Sequence, residues 1–430
     1  MENSFQPLTI DELNKVLGLT IKKDNENKIV TFLCELSAYT ENSQFNVCFN
    51  APSSTGKSYI PTEIANLFPK EDIIEIGYCS PTAFFHDVVK YDEEKKGYII
   101  DLSRKILIFL DQPHMDLLAK LRPVLSHDRK EILLKITDKN QKNGLRTKNV
   151  ILIGYPAVVF CTAFSKVDEQ ESTRFFVLSP EINQEKIREA ISQKIDKEAN
   201  HVKFAAWLEE MPERKLLQQR ILAVKQAGIT DIQITEPEKI KERFFQENKM
   251  LKPRHSRDIG RLLALVKSLA LLNLWWRQRE GTTIIANEED VNQAFEIWNK
   301  IAVAQELNLP PYIYNLFLEI IMPLWNERPI DELRLEKLPI SRQEIQNKHF
   351  EAYGRMLDGT KMVKEIIPTL ETAGLIAQES DPYDRRKTLI RPMVPQATSG
   401  KEKTMGDRGG VNMGFGRNID PEEMLQKAGL

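Results

Sequence analysis

Ala51-Pro52-Ser53-Ser54-Thr55-Gly56-Lys57-Ser58 is the stretch on which the fold turns. It follows residues 44–51, where Phe45, Val47 and Phe49 alternate as on a strand, and it opens a helical pattern. The spacing is that of the phosphate-binding loop GxxxxGK[ST], with Ala51 in the place of the first glycine. Successive backbone N–H groups of such a loop wrap a β-phosphate, and the helix start adds its positive end. Ser53, Ser54, Thr55 and Gly56 would form the cradle, and Lys57 would reach the β- and γ-phosphates. The Ser58 hydroxyl would ligate Mg²⁺, so ATP and Mg²⁺ are the expected cofactors. The alternative is a plain strand–turn–helix connection. Ala51 gives up a permissive glycine, and Pro61 removes a backbone donor in what would be the second helical turn.

Downstream, Ile106-Leu107-Ile108-Phe109-Leu110-Asp111 is an apolar run ending in a carboxylate. In P-loop enzymes such a strand carries the Asp that positions the Mg²⁺ shell. The next residue is usually a Glu in ATPases that polarise water, but here it is Gln112. An amide can orient a water and cannot act as a general base. Asp116 and Glu131, the latter expected on the following helix, are the possible substitutes.

Buried runs also fall at residues 72–79, 150–163 (broken near Tyr155-Pro156) and 174–179, separated by helix-like stretches or hairpins. That alternation predicts a parallel sheet covered on both faces. Residues 1–43 read as helix, turn, helix, with stripes at Leu13, Val16, Leu17 and at Ile29, Phe32, Leu33, Leu36, Tyr39. The expected domains are residues 1–43 (N-terminal helical segment), 44–183 (αβα core), 184–308 (helical lid), 309–395 (a C-terminal module) and 396–430. The last stretch is glycine-rich and short of bulky residues, so a disordered tail is expected there.

Composition removes other classes. With 60 Lys+Arg against 62 Asp+Glu, a polybasic chain is excluded, and nucleic-acid contact must come from local patches. Cys34, Cys48, Cys79 and Cys161 form no CxxC pair and lie in apolar runs. Reduced buried thiols in a cytoplasmic protein fit them better than a disulfide scaffold or a zinc site. Residues 1–12 carry no signal-peptide pattern, and Arg261 and Lys267 interrupt the most apolar stretch, so no membrane span is expected.

With the phosphate loop, the acid strand and the order of parts in place, residues 45–395 resemble AAA+ ATPases, and within them the MCM-like replicative helicases. The resemblance is to the compact, self-loading type carried by mobile genetic elements. It implies an α/β AAA+ P-loop core with a parallel five-stranded sheet and a helical lid. Residues 129–148 resemble the hairpin before the sensor 1 strand, with Asn143-Gly144 as turn signal. They hold seven cations (Arg129, Lys130, Lys135, Lys139, Lys142, Arg146, Lys148) against Glu131 and Asp138. In the family this hairpin touches DNA phosphates in the ring channel, which makes Lys139, Lys142, Arg146 and Lys148 the candidate DNA contacts. A solvated basic loop is the alternative. Residues 81–102 resemble the insert before the acid strand, with hairpin arms at 88–91 and 98–102. Thr162 occupies the polar sensor 1 position, where Asn is frequent, though a buried strand Thr would look the same. Arg174 in Ser172-Thr173-Arg174-Phe175 resembles the arginine finger that reaches a neighbour's nucleotide. Arg257 fits the sensor 2 arginine, with Arg254 the runner-up. The resemblance thus implies a homo-oligomer, a hexameric ring, acting on single- or double-stranded DNA.

The C-terminal module reads helix, helix, helix, hairpin: residues 312–325, 341–353 with a Ser341–Glu344 capping box, 361–373 with Pro368 inside it, then arms at 375–378 and 388–391. That is the order of a winged helix-turn-helix. Its 12 Lys+Arg against 13 Asp+Glu make no general basic face, but Arg385, Arg386 and Lys387 cluster on the wing with Arg391. The wing could serve DNA or protein. Three functions follow: a DNA helicase or translocase for a mobile element or virus-like replicon, an AAA+ switch or loader that cycles ATP without unwinding, or a non-enzymatic DNA-binding regulator.

Overall fold

The structure, a computed structural model, describes residues 5–85, 90–138, 146–163, 173–331, 336–381, 384 and 386–393. The expected tail at 396–430 lies outside the described residues. The chain divides into two units, Met1–Thr235 with Gly260–Tyr312, and Glu236–Ile259 with Ile313–Leu430.

In the first unit, strands β1 (Asn46–Asn50), β2 (Ile73–Ile76), β3 (Ile106–Phe109), β4 (Ala157–Thr162) and β5 (Phe175–Leu178) form one sheet. All its pairings are parallel, and its order is β2-β3-β4-β1-β5. Strand β4 therefore lies between the strand that feeds the phosphate loop and the strand that ends in the acid. This order fits an α/β AAA+-like core. Every residue of β1 and β4 is buried, which explains why neither strand needs to alternate strictly with polar residues.

Helices cover the sheet. Helix α1 (Ile10–Leu17) starts with a Thr9–Glu12 capping box and buries Leu13, Val16 and Leu17. Helix α2 (Asn25–Ser37) is buried almost all round. Helix α3 (Tyr59–Ala65) follows the loop. Pro61 falls in its first turn, not its second, where backbone N–H groups have no intrahelical acceptor, so the proline costs no helix bond. On the opposite face, helix α4 (Met115–Leu125) packs Leu117, Leu118 and Leu121 against Cys48, Val158 and Phe160. Each such leucine contributes about 1.5–3 kcal/mol of burial.

The apolar run at 150–163 serves two sheets. Residues Arg146–Ile153 pair antiparallel with Glu131–Asp138 and parallel with Gly97–Asp101, while β4 belongs to the core. The chain turns between them at Gly154, which has φ +85° and where an added Cβ would lie 2.2 Å from the Ser103 hydroxyl. Only glycine fits there. In the insert hairpin Tyr91–Asp92 pairs with Tyr98 and Gly97, and the Ile99 N–H donates to the Lys90 carbonyl; residues 88 and 89 of the expected arm lie outside the described residues.

Residues 184–308 are not helical throughout. Asp231–Ile234 runs parallel to Thr283–Ala286, which pairs antiparallel with Gln278–Glu280. The β-branched run from Thr282 to Ile285 follows Gly281 in a left-handed turn (φ +61°), so local strand propensity outweighs the helical periodicity on either side.

In the second unit, Ile340–Ser341 and Ile376–Ser380 flank Thr388–Pro392 in an antiparallel sheet. Helix Arg342–Tyr353 has the Ser341–Glu344 capping box, and Gly354 ends it at φ +66°. The next helical stretch passes through a π turn at Met362–Ile366 just before Pro368. The wider turn accommodates the missing proline donor.

Candidate active site

The candidate site is built at the C-terminal ends of β1, β4 and β3. After β1 the loop turns through Ser54 (φ 66°) and Gly56 (φ 91°). A left-handed Ser is strained, and such strain collects at functional loops. Ala51 is buried, and its N–H donates to the Thr162 carbonyl at 3.2 Å, so the loop's first residue is tied to β4. Thr55 Oγ1 donates to the Pro52 carbonyl at 2.9 Å, closing the turn. The Gly56 carbonyl accepts from the N–H groups of Tyr59 and Ile60. Ser53 is exposed, while Lys57 and Ser58 are half-buried.

Parallel register brings the other groups level. Asn50 pairs with Thr162, and Phe109 pairs with Phe160. Asp111 follows Phe109 by two residues, as Thr162 follows Phe160. Thr162 Oγ1 donates to Gln112 Oε1 at 2.7 Å. Asp111 Oδ1 accepts the Gln112 N–H at 2.8 Å, and Gln112 Nε2 lies 3.7 Å from Met115 Sδ. So the structure joins Thr162 and Gln112 directly, and holds Gln112 at three atoms. The Thr162–Gln112 contact cannot be read from the sequence, because the two residues are 50 positions apart.

Beneath the loop, Cys161 Sγ donates to the Lys57 carbonyl at 3.3 Å. Burial pushes the Cys161 thiol up to about 12, with Lys57 pulling it down and Asp111 raising it further. The thiol is therefore a packing group at neutral pH.

The chemistry of the donors fits Mg²⁺. Ser58 makes no side-chain cap bond to its helix, and Asp111 is exposed, with Oδ1 alone engaged by Gln112. A hydroxyl and a carboxylate are hard oxygen ligands of the kind Mg²⁺ takes. Among the described residues no cluster of three or more His, Cys, Asp or Glu could hold a metal.

Arg174 immediately precedes β5, and Phe175 is level with Asn46 at the start of β1. It lies at the N-terminal edge of the sheet, while the loop leaves the C-terminal edge, about 13 Å away over four strand rises. Its Nε donates to Ser126 Oγ at 2.6 Å. Arg257 belongs to the second unit, in the first turn of helix His255–Leu272, and is exposed. Arg254 is committed to the buried Asp258, with Nε at 3.0 Å from Oδ2. Asp116 is exposed on α4, and Glu131 pairs with Lys95 on the outer sheet.

Of the candidate DNA contacts, Lys139, Lys142 and Arg385 lie outside the described residues, as does the side chain of Arg146. Lys148 holds its ammonium 5.4 Å from the Tyr98 ring centroid, and Lys130 pairs with Glu41. On the C-terminal hairpin, Asp384 engages Arg386 at 3.1 Å and Lys387 at 3.8 Å. Arg391 is tied to Glu379 and Glu336.

Asn50 belongs to none of the sequence motifs. It is fully buried, and neither atom of its amide has a hydrogen-bond partner. Such an amide costs about 1–3 kcal/mol of desolvation. A signal was available: Asn46 and Asn50 are polar on a strand that is otherwise apolar and wholly buried. Asn46 is explained, since its Nδ2 donates to the Leu125 carbonyl and its Oδ1 accepts the Val158 N–H.

No protein family and no curated protein matches the chain. Among solved structures it is similar to the crystal structure of a full-length MCM homolog from Methanopyrus kandleri, at 13% identity and a TM-score of 0.40. The match covers 67% of this chain and 57% of that one, so this chain aligns with little more than half of that protein. No helix among the described residues is long and apolar enough to cross a membrane.

Proposed function

We propose that the chain is an ATP-dependent, ring-forming DNA helicase or translocase that serves the replication of a mobile element or a virus-like replicon. The observation that supports it most is the row at the strand ends: phosphate loop, Thr162 and Asp111, in a sheet ordered β2-β3-β4-β1-β5.

The chemistry follows from that row. The loop's N–H groups and the Lys57 ammonium bind the phosphates of ATP. Ser58 and Asp111 would hold Mg²⁺, which, when bound, neutralises charge on the β- and γ-phosphate oxygens. Gln112 Oε1 takes the Thr162 hydroxyl on one lone pair and keeps a second for a hydrogen of the attacking water. The water oxygen bonds to the γ-phosphorus as the bond to the bridging oxygen breaks, and a water proton passes to a γ-phosphate oxygen, giving ADP and inorganic phosphate. Arg174 is too far from its own loop to take part, so as an arginine finger it serves the site of a second copy. An apolar stripe on helix Gln184–Ala199 supports such contact: Ile187, Ile191 and Ile195 are 39%, 55% and 61% exposed. The outer sheet would present its hairpin to DNA through Lys139, Lys142 and Arg146. The second unit, helix, strand, helix, helix, hairpin, would be a winged helix-turn-helix.

A second reading, an ATP-driven switch or loader without unwinding, is favoured by Gln112, which supplies no general base. One experiment separates them: ATP turnover with and without single-stranded DNA, alongside strand separation of a forked duplex. DNA-stimulated turnover with strand separation supports the helicase. Stimulated turnover without separation supports the switch, and binding without any turnover rejects both.

A further inference from the structure

We infer that Asn50 is a further positioning residue of the nucleotide site: its buried amide works with Thr162 and Gln112 to order the water and phosphate oxygens at the end of β4. The inference rests on the ATPase proposal and deepens it.

Register and burial carry it. Asn50 is the last residue of β1 and is paired with Thr162 on β4. Register partners on adjacent parallel strands project to the same face, and faces alternate along each strand. Cys48 and Phe160, each two residues earlier and also register partners, both pack on the α4 face. Asn46 reaches that face too, with its amide on the carbonyl of Leu125 in α4. Asn50 and Thr162 therefore share the α4 face, the face on which Thr162 meets Gln112. Asn50 is at 0% exposure, and both its Nδ2 and its Oδ1 lack a partner.

A wholly buried strand that spends an amide at its last position before the phosphate loop, and leaves both amide atoms unbonded, is built for a partner that arrives. An apolar side chain would otherwise pack better there. The carboxamide is also the group that the end of β4 lacks, since Thr162 offers a single hydroxyl. An amide one strand over supplies a second donor and acceptor in the same row. Because Asn50 is fully covered, it acts through Thr162 and a water that would bind beside it, not by contact with the nucleotide.

The test uses the full chain with Asn50→Leu, which keeps the branching and removes the polar atoms, and Asn50→Ser, which keeps a hydroxyl. Steady-state ATP turnover and thermal melting are measured on both. Expected are a higher Tm for Asn50→Leu without nucleotide, a kcat lower by at least about tenfold, and a KM for ATP within about twofold of wild type. Asn50→Ser should melt lower than Asn50→Leu yet turn over faster, so that stability and activity rank in opposite orders. If Asn50→Leu keeps the wild-type kcat, or if both variants lose activity in proportion to their melting, Asn50 is structural and the inference is overturned. Should wild type itself fail to turn over ATP, the ATPase proposal falls and takes Asn50 with it, a result distinct from the other two.

Discussion

Replacing Thr162 with valine removes one hydroxyl and almost nothing else. The side chain is 1% exposed, and valine fills the same volume on a buried strand. Among what is lost is the 2.7 Å bond to Gln112 Oε1. A neutral hydrogen bond contributes about 0.5–1.5 kcal/mol net. Gln112 is only half-buried, so water can take over its carbonyl, and the cost should sit near the low end, about 0.5 kcal/mol. Turnover should suffer far more. Without the hydroxyl, Gln112 keeps only its backbone and the weak Met115 contact, and its carbonyl no longer points one way. Losing about 1.4–2.8 kcal/mol of oriented transition-state interaction lowers kcat about 10- to 100-fold. The assay is steady-state ATPase for kcat and KM, paired with a urea melt for stability. A valine variant that turns over ATP at the wild-type rate would show that the Thr162–Gln112 bond has no part in hydrolysis.

Three further outcomes follow from the same geometry. Gln112→Glu keeps the acceptor for Thr162 and adds a base, so kcat should rise, by about tenfold or more on the usual scale of general-base catalysis; an unchanged or lower rate in steady-state turnover would place the base elsewhere. Mixing Arg174→Ala subunits into wild type should lower ATPase activity more than dilution does, because Arg174 lies at the far edge of its own sheet; activity that simply follows dilution would remove the finger role. His127, whose ring packs edge-on to Tyr155, is pushed down by burial from 6.5 to about 4. The unfolded chain then binds the proton first, so the stability this site contributes is complete above pH 6.5, falls as pH drops, and is gone below about 4. The loss is up to about 3 kcal/mol; His127→Gln should flatten that part of a urea-midpoint profile, and an unchanged profile would exonerate His127.

Much of the core was legible because its signals are local. The GKS triplet, the apolar run ending at Asp111 and the break at Tyr155-Pro156 each sit inside a few residues. The parallel character of the sheet also follows from its buried runs. What could not be read depends on register. Thr162 meets Gln112, and Asn50 aligns with both, only because β4 inserts between β1 and β3. The small sheet at Thr283–Ala286 was hidden because a short β-branched run between helices leaves the helical period almost intact. Arg391 looked like part of a DNA-binding cluster, but its guanidinium is spent on Glu379, Glu336 and the Trp325 ring.

The most direct measurement is ATP turnover by the purified full chain, with and without single-stranded DNA, in wild type and in Lys57→Ala. On the proposed reading Lys57 carries the phosphate contact of the loop, and its side chain is half-buried. Wild type should bind ATP with Mg²⁺ and hydrolyse it faster when DNA is added, while Lys57→Ala should fold normally and lose both binding and turnover. Equal nucleotide affinity in the two proteins, or no hydrolysis by wild type under any DNA condition, would contradict the account.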